Sequence, residues 1–291
     1  MFKRLRTLPT RGALASNAVL VIASLVMLLP FVWMVMVSLA PRGEVYSGAL
    51  WLQPSLQAAR DNYSFALSRV PLLRYMFNGA VVCTAILLLQ LLVAAPAGYA
   101  LAKLPFRGRP LLMAAVIVGL MIPIQVPAIP LYIALAYAGL LDSYTALILP
   151  FVISGFGIFL FRQFFATYPN EVIDAARLDG FSELAIVWRL MLPAAWPAVA
   201  AFAIFSVVAH WNDLYWPLVV VLRPEMMTPP LGLATFRQSG ESAGNVGALM
   251  AGGVMITAPL VLLFAFAQKY FILGMTMSRA PDSVKTQRKF Q

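Results

Sequence analysis

Polar and aromatic side chains are concentrated in one short stretch of an otherwise apolar sequence, AHWNDLYWP at residues 209–217. The amide of Asn212 and the carboxylate of Asp213 form hydrogen bonds of the kind that bind sugar hydroxyls. The rings of Trp211 and Tyr215 offer flat apolar faces on which a sugar ring packs. These residue types predict a surface that contacts a hydroxyl-rich solute.

A structural role is the alternative for the same stretch. Trp and Tyr are enriched where a membrane meets water, and polar side chains inside a membrane also bond neighbouring helices. Asn78, Gln90 and Gln125 are further candidates of this kind in the preceding apolar runs. The one histidine, His210, is predicted to be a packing or network residue rather than a proton relay. Both interpretations stay open at the level of sequence.

A second candidate is the segment 166–193, the acidic loop, which contains the island DAARLDGFSELAIVWRLMLP between two long uncharged stretches. Pro169 suits the first turn of a helix, because its missing N–H has no intrahelical partner there. Gly180 is a natural helix stop, and Ser182 is a cap for a second helix. That second helix is predicted to break at Pro193. The sequence thus predicts two short helices at an angle.

The acidic loop is predicted to bind a protein. Val172, Ala175 and Ala176 are spaced to share one helix face, and a face of small residues docks closely into a groove. Interfacial helices that lie on lipid headgroups prefer Lys and Arg. Residues 165–188 instead hold four acids and one base, Arg177.

The elements that position both candidates are predicted to be membrane helices. The chain has 291 residues, is 62% hydrophobic and only 11% charged, and has a mean hydropathy of +0.85. Globular domains are nearer a quarter charged. A soluble protein could not cover its surface with so few charges, so the solvent is predicted to be a bilayer.

Six apolar runs are long enough to cross a membrane as helices. About 20 apolar residues are needed for one crossing, and the alternation of a membrane β-barrel is absent. We therefore predict an all-α polytopic membrane protein with six helices near 14–39, 75–102, 110–137, 144–164, 194–221 and 246–271.

Basic residues predict the orientation of these helices. With the N-terminus in the cytoplasm, the cytoplasmic segments hold 15 of the 21 Lys and Arg residues and the outer segments hold 6. Because Lys and Arg are retained in cytoplasmic loops, both termini and the acidic loop are predicted to be cytoplasmic. The outer segment 40–73 is then either a docking loop for an extracytoplasmic partner or a solvated connector.

Several other functions are disfavoured by what the sequence lacks. It contains no Gly-x-x-x-x-Gly-Lys-Ser/Thr loop for ATP, no protease or hydrolase motif, and no clustered basic and aromatic face for nucleic acid. Cys83 is the one cysteine and forms no metal pattern. A standalone ion-coupled transporter would rely on Asp213, the one acid in a predicted span, and a purely structural membrane subunit would need none of the polar candidates.

The acidic loop resembles the signature loop of binding-protein-dependent ABC importer permeases. That family has Glu-Ala-Ala, three residues, Gly, nine residues and Ile-x-Leu-Pro. Here Asp174, Ala175 and Ala176 precede Gly180 by the same spacing, and LMLP at 190–193 follows nine residues later. Asp174 for Glu and Leu for Ile are mild departures.

Other stretches extend the resemblance from about residue 20 to 285. They are AGYALAKLPFRGR, IPLYIALAYAGLLDSYTALILPF, WNDLYWPLVVV and LMAGGVMITAPLVLLFAFAQKYFILGMT. They are similar to the carbohydrate-uptake subgroup, in particular to the six-helix subunit of maltose-type importers. The tail at 282–286, DSVKT, departs from the usual Gly-Ala-Val-Lys-Gly.

The resemblance implies partners and a substrate class. It implies a second permease subunit, two ATPase subunits that bind ATP and magnesium, an extracytoplasmic solute-binding protein and a carbohydrate substrate, with no cofactor in this chain. Import of glycerol phosphate, another polyol, an osmolyte or an amino acid is the alternative within the superfamily. The implied organisation is a cytoplasmic segment 1–13, one permease domain 14–275 and a cytoplasmic tail 276–291.

The resemblance also assigns contact with the ATPase to particular residues of the acidic loop. These are Glu171, Asp174, Ala175, Ala176, Asp179, Gly180, Phe181, Leu192 and Pro193. The candidates for the translocation pathway remain Asn78, Gln125, Trp211, Asn212, Asp213 and Tyr215.

Overall fold

The prediction of an all-α chain is confirmed. The computed structural model describes residues 11–42, 52–238 and 245–277, with side chains in 16–42, 52–238 and 245–266, and these described residues form helices and no strand. The described chain divides into two compact units, one of residues 11–42, 52–70, 235–238 and 245–255 and the other of residues 71–234 and 256–277.

The first unit contains α1 (Arg11–Ser38) and α2 (Leu56–Arg69). Most side chains of α1 are apolar and exposed, as suits a helix surrounded by lipid. Its C-terminal end is closed by Asn62 of α2, whose Nδ2 donates to the carbonyl oxygens of Ser38 and Ala40 at 3.0 Å each. These bonds satisfy carbonyls that a helix end leaves unpaired.

The second unit is built on three helices: α3 (Leu72–Lys103), α7 (Gly155–Ala166) and α10 (Trp196–Trp211). The small residues of α3 allow close packing on α7. A Cβ on Gly98 would lie 2.8 Å from the Cβ of Phe161 and 2.9 Å from the main-chain nitrogen of Arg162. Small residues at such positions let membrane helices approach each other closely.

The third predicted span, 110–137, is not one helix. It is divided into α4 (Arg109–Met121) and α5 (Ala128–Tyr137). Ile122 has an extended backbone, with φ −84° and ψ 115°, because it precedes Pro123. A proline also lacks the N–H that would continue the helix.

The fourth and fifth predicted spans are also interrupted. Residues 144–164 form α6 (Tyr144–Ile148), a 3₁₀ turn (Leu149–Phe151) and α7, with a bend of 42° between the two parts. Ser154 caps α7, since its hydroxyl accepts from the main-chain N–H of Gly157 at 3.0 Å. In the fifth span α10 stops at Trp211, and α11 (Tyr215–Val220) follows after a break.

The acidic loop contains the two predicted short helices, α8 (Asn170–Leu178) and α9 (Glu183–Ile186). Gly180 has a φ of +84° and Ser182 accepts from the N–H of Ala185 at 3.3 Å, so the predicted stop and cap are confirmed. Pro169 is the residue before α8 rather than part of its first turn.

The predicted break at Pro193 is wrong in position. After α9 the chain continues through a π turn (Val187–Met191) and a short helical turn (Leu192–Ala194), and the 85° bend comes only before Trp196. Pro193 lies at the start of that short helical turn, where a proline is tolerated, and the chain therefore stays helical past Pro193 before it bends.

Two further helices complete the described chain, α12 (Pro229–Gln238) and α13 (Val246–Met277). By length and composition, three described helices can each cross a membrane, and two bent pairs raise that number to five. The six-span count and the positions of the termini thus stay predictions. Residues 1–10 and 278–291, which include most of the predicted terminal segments and the DSVKT tail, lie outside the described residues.

Candidate functional site

The outer face of the acidic loop exposes acidic and apolar side chains together. Leu178 is 89% exposed, Leu184 60% and Phe181 41%. Asp174, with a side chain that is 62% exposed, lies on α8, as Leu178 does. Large apolar side chains rarely remain so exposed outside a membrane unless they contact a partner. The other exposed members of the predicted contact set are Glu171, Ala175, Asp179, Gly180 and Pro193.

The inner face of α8 is part of the core of the second unit. Ile173 is 1% exposed and Ala176 8%, and both belong to the buried cluster that includes Tyr99 and Phe165. The prediction that Ala176 shares one docking face with Val172 and Ala175 is wrong. Residues three apart form a row on a helix, and the row of Ile173 and Ala176 faces inward.

A chain of hydrogen bonds ties the two short helices to α3. The hydroxyl of Tyr99 donates to Oε2 of Glu183 at 2.5 Å. Arg177 donates from Nε to Oε1 of Glu183 at 2.9 Å and from Nη1 to Oδ1 of Asp174 at 2.9 Å. The hydrogen bond with Glu183 raises the pKa of Arg177 above its ordinary value, so the guanidinium stays charged.

Lys103, the last residue of α3, provides a second tie. Its Nζ donates to the carbonyl oxygen of Tyr168 and to Oδ1 of Asn170, each at 2.6 Å. The acidic loop is therefore fixed to one end of α3 at three points: the buried row, Glu183 and Lys103.

The aromatic segment, residues 209–217, uses most of its polar groups internally. The Nε1 of Trp211, which is buried, donates to the carbonyl oxygen of Ile256 at 2.9 Å. Asp213 accepts from the N–H of Trp216 at 3.2 Å, ahead of α11. Trp211 and Asp213 thus have the structural bonds that the alternative interpretation predicts.

Asn212 and Tyr215 are the predicted pathway residues of this segment whose side chains are exposed. Among the described residues, Asn212 donates to the carbonyl oxygen of Val208 at 2.8 Å, and its amide oxygen has no partner there. Both side chains are therefore accessible to a solute.

Asn78 and Gln125 are separated by the fold. Asn78 is fully buried; its Nδ2 donates to the carbonyl oxygens of Glu225 and Met227 at 2.9 Å each, and its Oδ1 accepts from the hydroxyl of Tyr144 at 2.7 Å. The amide nitrogen and the amide oxygen of Asn78 are thus both bonded to other groups of the protein. Gln125 is exposed in the break between α4 and α5.

A cleft of about 380 Å³, called the polar cleft after Gln90, Ser206 and His210 on its wall, lies where α3, α7 and α10 meet, and most of its lining surface is apolar. Within it Gln90 bonds three groups: the carbonyl oxygen of Phe151 at 2.9 Å, Nε2 of His210 at 3.3 Å and the hydroxyl of Ser206 at 2.7 Å. His210 is the network residue that was predicted. The remaining lining residues are Ser154, Phe156, Phe202, Phe205 and Ala209.

Sequence reasoning missed most of this cleft. Gln90 and His210 stand out as polar residues in apolar runs, and Ser206 four residues before His210 is a weaker signal of the same kind. The phenylalanines give no signal, because apolar residues are the rule in a membrane helix.

Comparisons with known proteins find membrane components of transport systems. Residues 94–276 match the family described as binding-protein-dependent transport system inner membrane component. The arabinooligosaccharides transport system permease protein AraQ of Halalkalibacterium halodurans is 36% identical over 251 residues, which cover 85% of this chain and 89% of that protein.

A more distant relative and a solved structure extend this picture. The sn-glycerol-3-phosphate transport system permease protein UgpE of Escherichia coli O1:K1 is 27% identical over 268 residues, covering 90% of this chain and 95% of that protein. A crystal structure of a bacterial ABC transporter involved in the import of the acidic polysaccharide alginate contains a chain with a TM-score of 0.78 and 23% identity. The match covers 91% of this chain and 99% of that one, and it supports the fold.

Proposed function

Because this chain belongs to the inner-membrane components of binding-protein-dependent transport systems, as a sugar ABC transporter permease, we propose that it forms half of the translocation pathway of an ATP-driven sugar importer. In this proposal a second, similar permease subunit supplies the other half. Two ATPase subunits bind ATP and magnesium in the cytoplasm, and a solute-binding protein delivers the substrate on the outer side.

The divided acidic loop is the observation that carries the proposal. Its outer face combines exposed acids with exposed leucines and a phenylalanine, which suits a groove on another protein that has basic groups at its rim. Its inner face is buried under the membrane helices through Ile173 and Ala176. A loop built in this way receives a force outside the membrane and passes it to helices.

The proposed mechanism follows from these contacts. Closure of the ATPase dimer displaces α8, and Glu183 and Lys103 carry the displacement to α3 through their bonds. Because α3 packs on α7 and α10, the helices that surround the polar cleft change position together. The cavity between the two permeases then opens alternately to each side.

The pathway wall is proposed to consist of the polar cleft together with Asn212 and Tyr215. His210, bonded to Gln90, supplies a hydrogen-bonding group, and the phenylalanines beside it supply flat faces for sugar rings. The arabinooligosaccharide relative supports an oligosaccharide or a similar carbohydrate as substrate.

Import of a phosphate ester is the second candidate, because a glycerol-3-phosphate permease is among the relatives. A phosphate is best bound by Arg or Lys, and neither lines the described polar cleft. A neutral sugar fits the cleft better, and a phosphate substrate would need cations from the second permease.

The orientation and boundaries are part of the same proposal. We place both termini and the acidic loop in the cytoplasm, on the distribution of Lys and Arg. One permease domain extends over 14–275, and the segments 1–13 and 276–291 flank it.

The test is purification of the tagged chain with its membrane partners, comparing wild type with Gly180→Arg. Gly180 has positive φ and open space around it, so a side chain there is strained and projects from the loop. We expect an ATPase subunit to co-purify with wild type and to be lost from the variant.

Gly139→Arg is the matched control, because Gly139 also has a positive φ, +65°, and nothing within 4 Å. It follows α5, away from the acidic loop, and should retain the ATPase. If wild type co-purifies with no ATPase and reconstitutes transport alone, the proposal fails and an ion-coupled transporter dependent on Asp213 replaces it.

A further inference from the structure

Two adjoining pockets next to the acidic loop share one residue, Arg109. The first, of about 260 Å³, is polar and is lined by Lys103, Arg109 and Arg177 together with Asn170 and Asp174. The second, of about 430 Å³, is apolar except for Arg109 and Arg162. The apolar lining consists of Leu101, Pro110, Met113, Ala114 and Ile117.

The guanidinium groups of Arg109 and Arg162 form few hydrogen bonds with the described residues. Among the described residues, Arg109 makes one hydrogen bond, from Nη2 to the carbonyl oxygen of Ala102 at 3.1 Å. Arg162 donates from Nη1 to the side chain of Gln163 at 3.0 Å, and its buried Nε has no partner in the part of the chain that the structure describes. Within the described ranges, neither guanidinium forms an ion pair.

Among the described residues, the one acid that lines these two pockets is already paired. Asp174 forms an ion pair with Arg177 at 2.9 Å. The positive charge of Arg109 and Arg162 therefore remains uncompensated beside an apolar pocket. A bare guanidinium next to hydrocarbon is costly unless an anion joins it.

The apolar pocket continues along a membrane helix. Met113 and Ile117 are four residues apart on α4 and lie on one side of it, and Ile117 is 44% exposed. The pocket thus begins at two guanidinium groups and extends over hydrocarbon surface.

We propose that this junction binds an anionic phospholipid of the surrounding membrane. Its phosphate pairs with Arg109 and Arg162, since guanidinium groups bond phosphate oxygens in a bidentate manner, and an acyl chain lies on Met113, Ala114 and Ile117. Basic pockets between helices at the membrane edge are suited to such headgroups. The inference rests on the proposed function only for the membrane position of α3, α4 and α7.

The bound lipid also bears on the acidic loop. Arg109 lines the polar pocket together with Asn170, Ile173 and Asp174 of α8. A lipid phosphate at Arg109 therefore sits against the base of the loop, and its binding stabilises the loop in the position seen here.

The test is a lipid titration of the full chain in detergent, read by native mass spectrometry. The probes are phosphatidylglycerol, phosphatidylcholine with the same acyl chains, and inorganic phosphate as a competitor. We expect wild type to prefer phosphatidylglycerol, and Arg109→Gln with Arg162→Gln to bind it about thirtyfold more weakly, the effect of two basic groups at a membrane surface.

The matched control is Arg107→Gln with Arg189→Gln, which removes the same charge from two exposed residues that line neither pocket. It should bind phosphatidylglycerol as wild type does. A second pair leaves every charge in place: Ala114→Trp fills the apolar pocket and should weaken binding, whereas Val118→Trp, on exposed surface outside the pocket, should not.

Three outcomes would overturn the lipid site. They are equal binding of the two lipids, equal loss in the Arg107/Arg189 control, and displacement of the lipid by inorganic phosphate, which would indicate a site for a free anion. Co-purification of the ATPase is measured on the same variants. Gly180→Arg should lose the ATPase and keep the lipid, so failure of one proposal is distinguishable from failure of the other.

Discussion

The acidic loop and the aromatic segment both contain acids and aromatic rings. In the acidic loop several of these side chains are exposed, whereas in the aromatic segment several of them form bonds inside the protein. In the acidic loop Asp174, Leu178 and Phe181 are exposed, and Ile173 and Ala176 hold α8 to the core. In the aromatic segment Trp211 and Asp213 bond the main chain of their own unit. An acid or an aromatic ring in a membrane protein therefore has no fixed meaning until its partners are known.

This difference reflects two structural requirements, one for a surface that binds a partner and one for a break in a membrane helix. A docking surface keeps side chains exposed until the partner covers them. A break inside a membrane span must satisfy its freed N–H groups, and Asp213 accepts from the N–H of Trp216 at the break between α10 and α11. Substitutions of the exposed residues of the acidic loop should consequently harm binding, and substitutions of Trp211 or Asp213 should harm folding.

The largest effect is expected for the inner face of the acidic loop. Ile173→Ala removes a fully buried side chain and should cost about 2–5 kcal/mol of stability, with rapid hydrogen exchange confined to α8. Thermal unfolding of the purified chain and hydrogen exchange by mass spectrometry measure this. Leu178→Ala, an exposed aliphatic on the same helix, should change the unfolding temperature little; an equal loss would show that the two faces do not differ.

Asn78→Ala tests whether a buried polar residue holds the fold rather than the substrate. The substitution leaves two carbonyl groups and the hydroxyl of Tyr144 without their hydrogen-bond partner. Each unpaired buried group lowers the free energy of unfolding by about 1–3 kcal/mol. We expect a lower unfolding temperature and less folded protein. Asn212→Ala, with an exposed side chain, should unfold as wild type does and instead reduce transport in proteoliposomes. Transport that survives Asn212→Ala would remove Asn212 from the pathway.

Tyr99→Phe separates the hydrogen bond of Tyr99 from its packing. The ring still contacts Phe165, with centroids 6.4 Å apart, but the bond to Glu183 is lost. The expected cost is about 1 kcal/mol, together with weaker coupling of ATP hydrolysis to transport in the reconstituted complex. Tyr168→Phe is the control, because the described residues offer its hydroxyl no hydrogen-bond partner. Normal coupling in Tyr99→Phe would exclude Glu183 from force transmission.

The smallest effect on stability is expected for substitutions of two acids, Asp142, whose side chain is mostly covered, and Asp174, whose side chain is exposed. Burial raises the pKa of Asp142, but main-chain N–H bonds from Arg223 and Leu222 outweigh it, so the pKa lies below its ordinary value. Stability from Asp142 is therefore present above the ordinary pKa and lost as pH falls through the lowered one. Asp142→Asn should cost about 1 kcal/mol at neutral pH and flatten this acid dependence.

Asp174→Asn is the counterpart at the exposed end. Its side chain is 62% exposed, so loss of its exposed ion pair should change the unfolding temperature little and weaken mainly the association with the ATPase. A matching stability loss in both variants, read from thermal unfolding between pH 3 and neutral, would contradict the contrast between the two acids.

The sequence alone determined the kind of molecule and the local design of the acidic loop. Long apolar runs require membrane helices whatever their partners, and Gly180 and Ser182 end and begin helices through their own backbone and side-chain chemistry. These are local effects, so neighbouring residues are enough to predict them.

Tertiary structure alone decided which residues face inward and where the spans break. Ile173 and Ala176, rather than Val172 and Ala175, are buried because the core beneath α8 lies on their side. The hydroxyl and carbonyl groups that satisfy Asn78 come from Tyr144, Glu225 and Met227, up to 149 residues away. Apolar periodicity carries no record of such distant partners, and hydrogen bonds across the fold therefore fixed the assignment of polar residues to structure or to function.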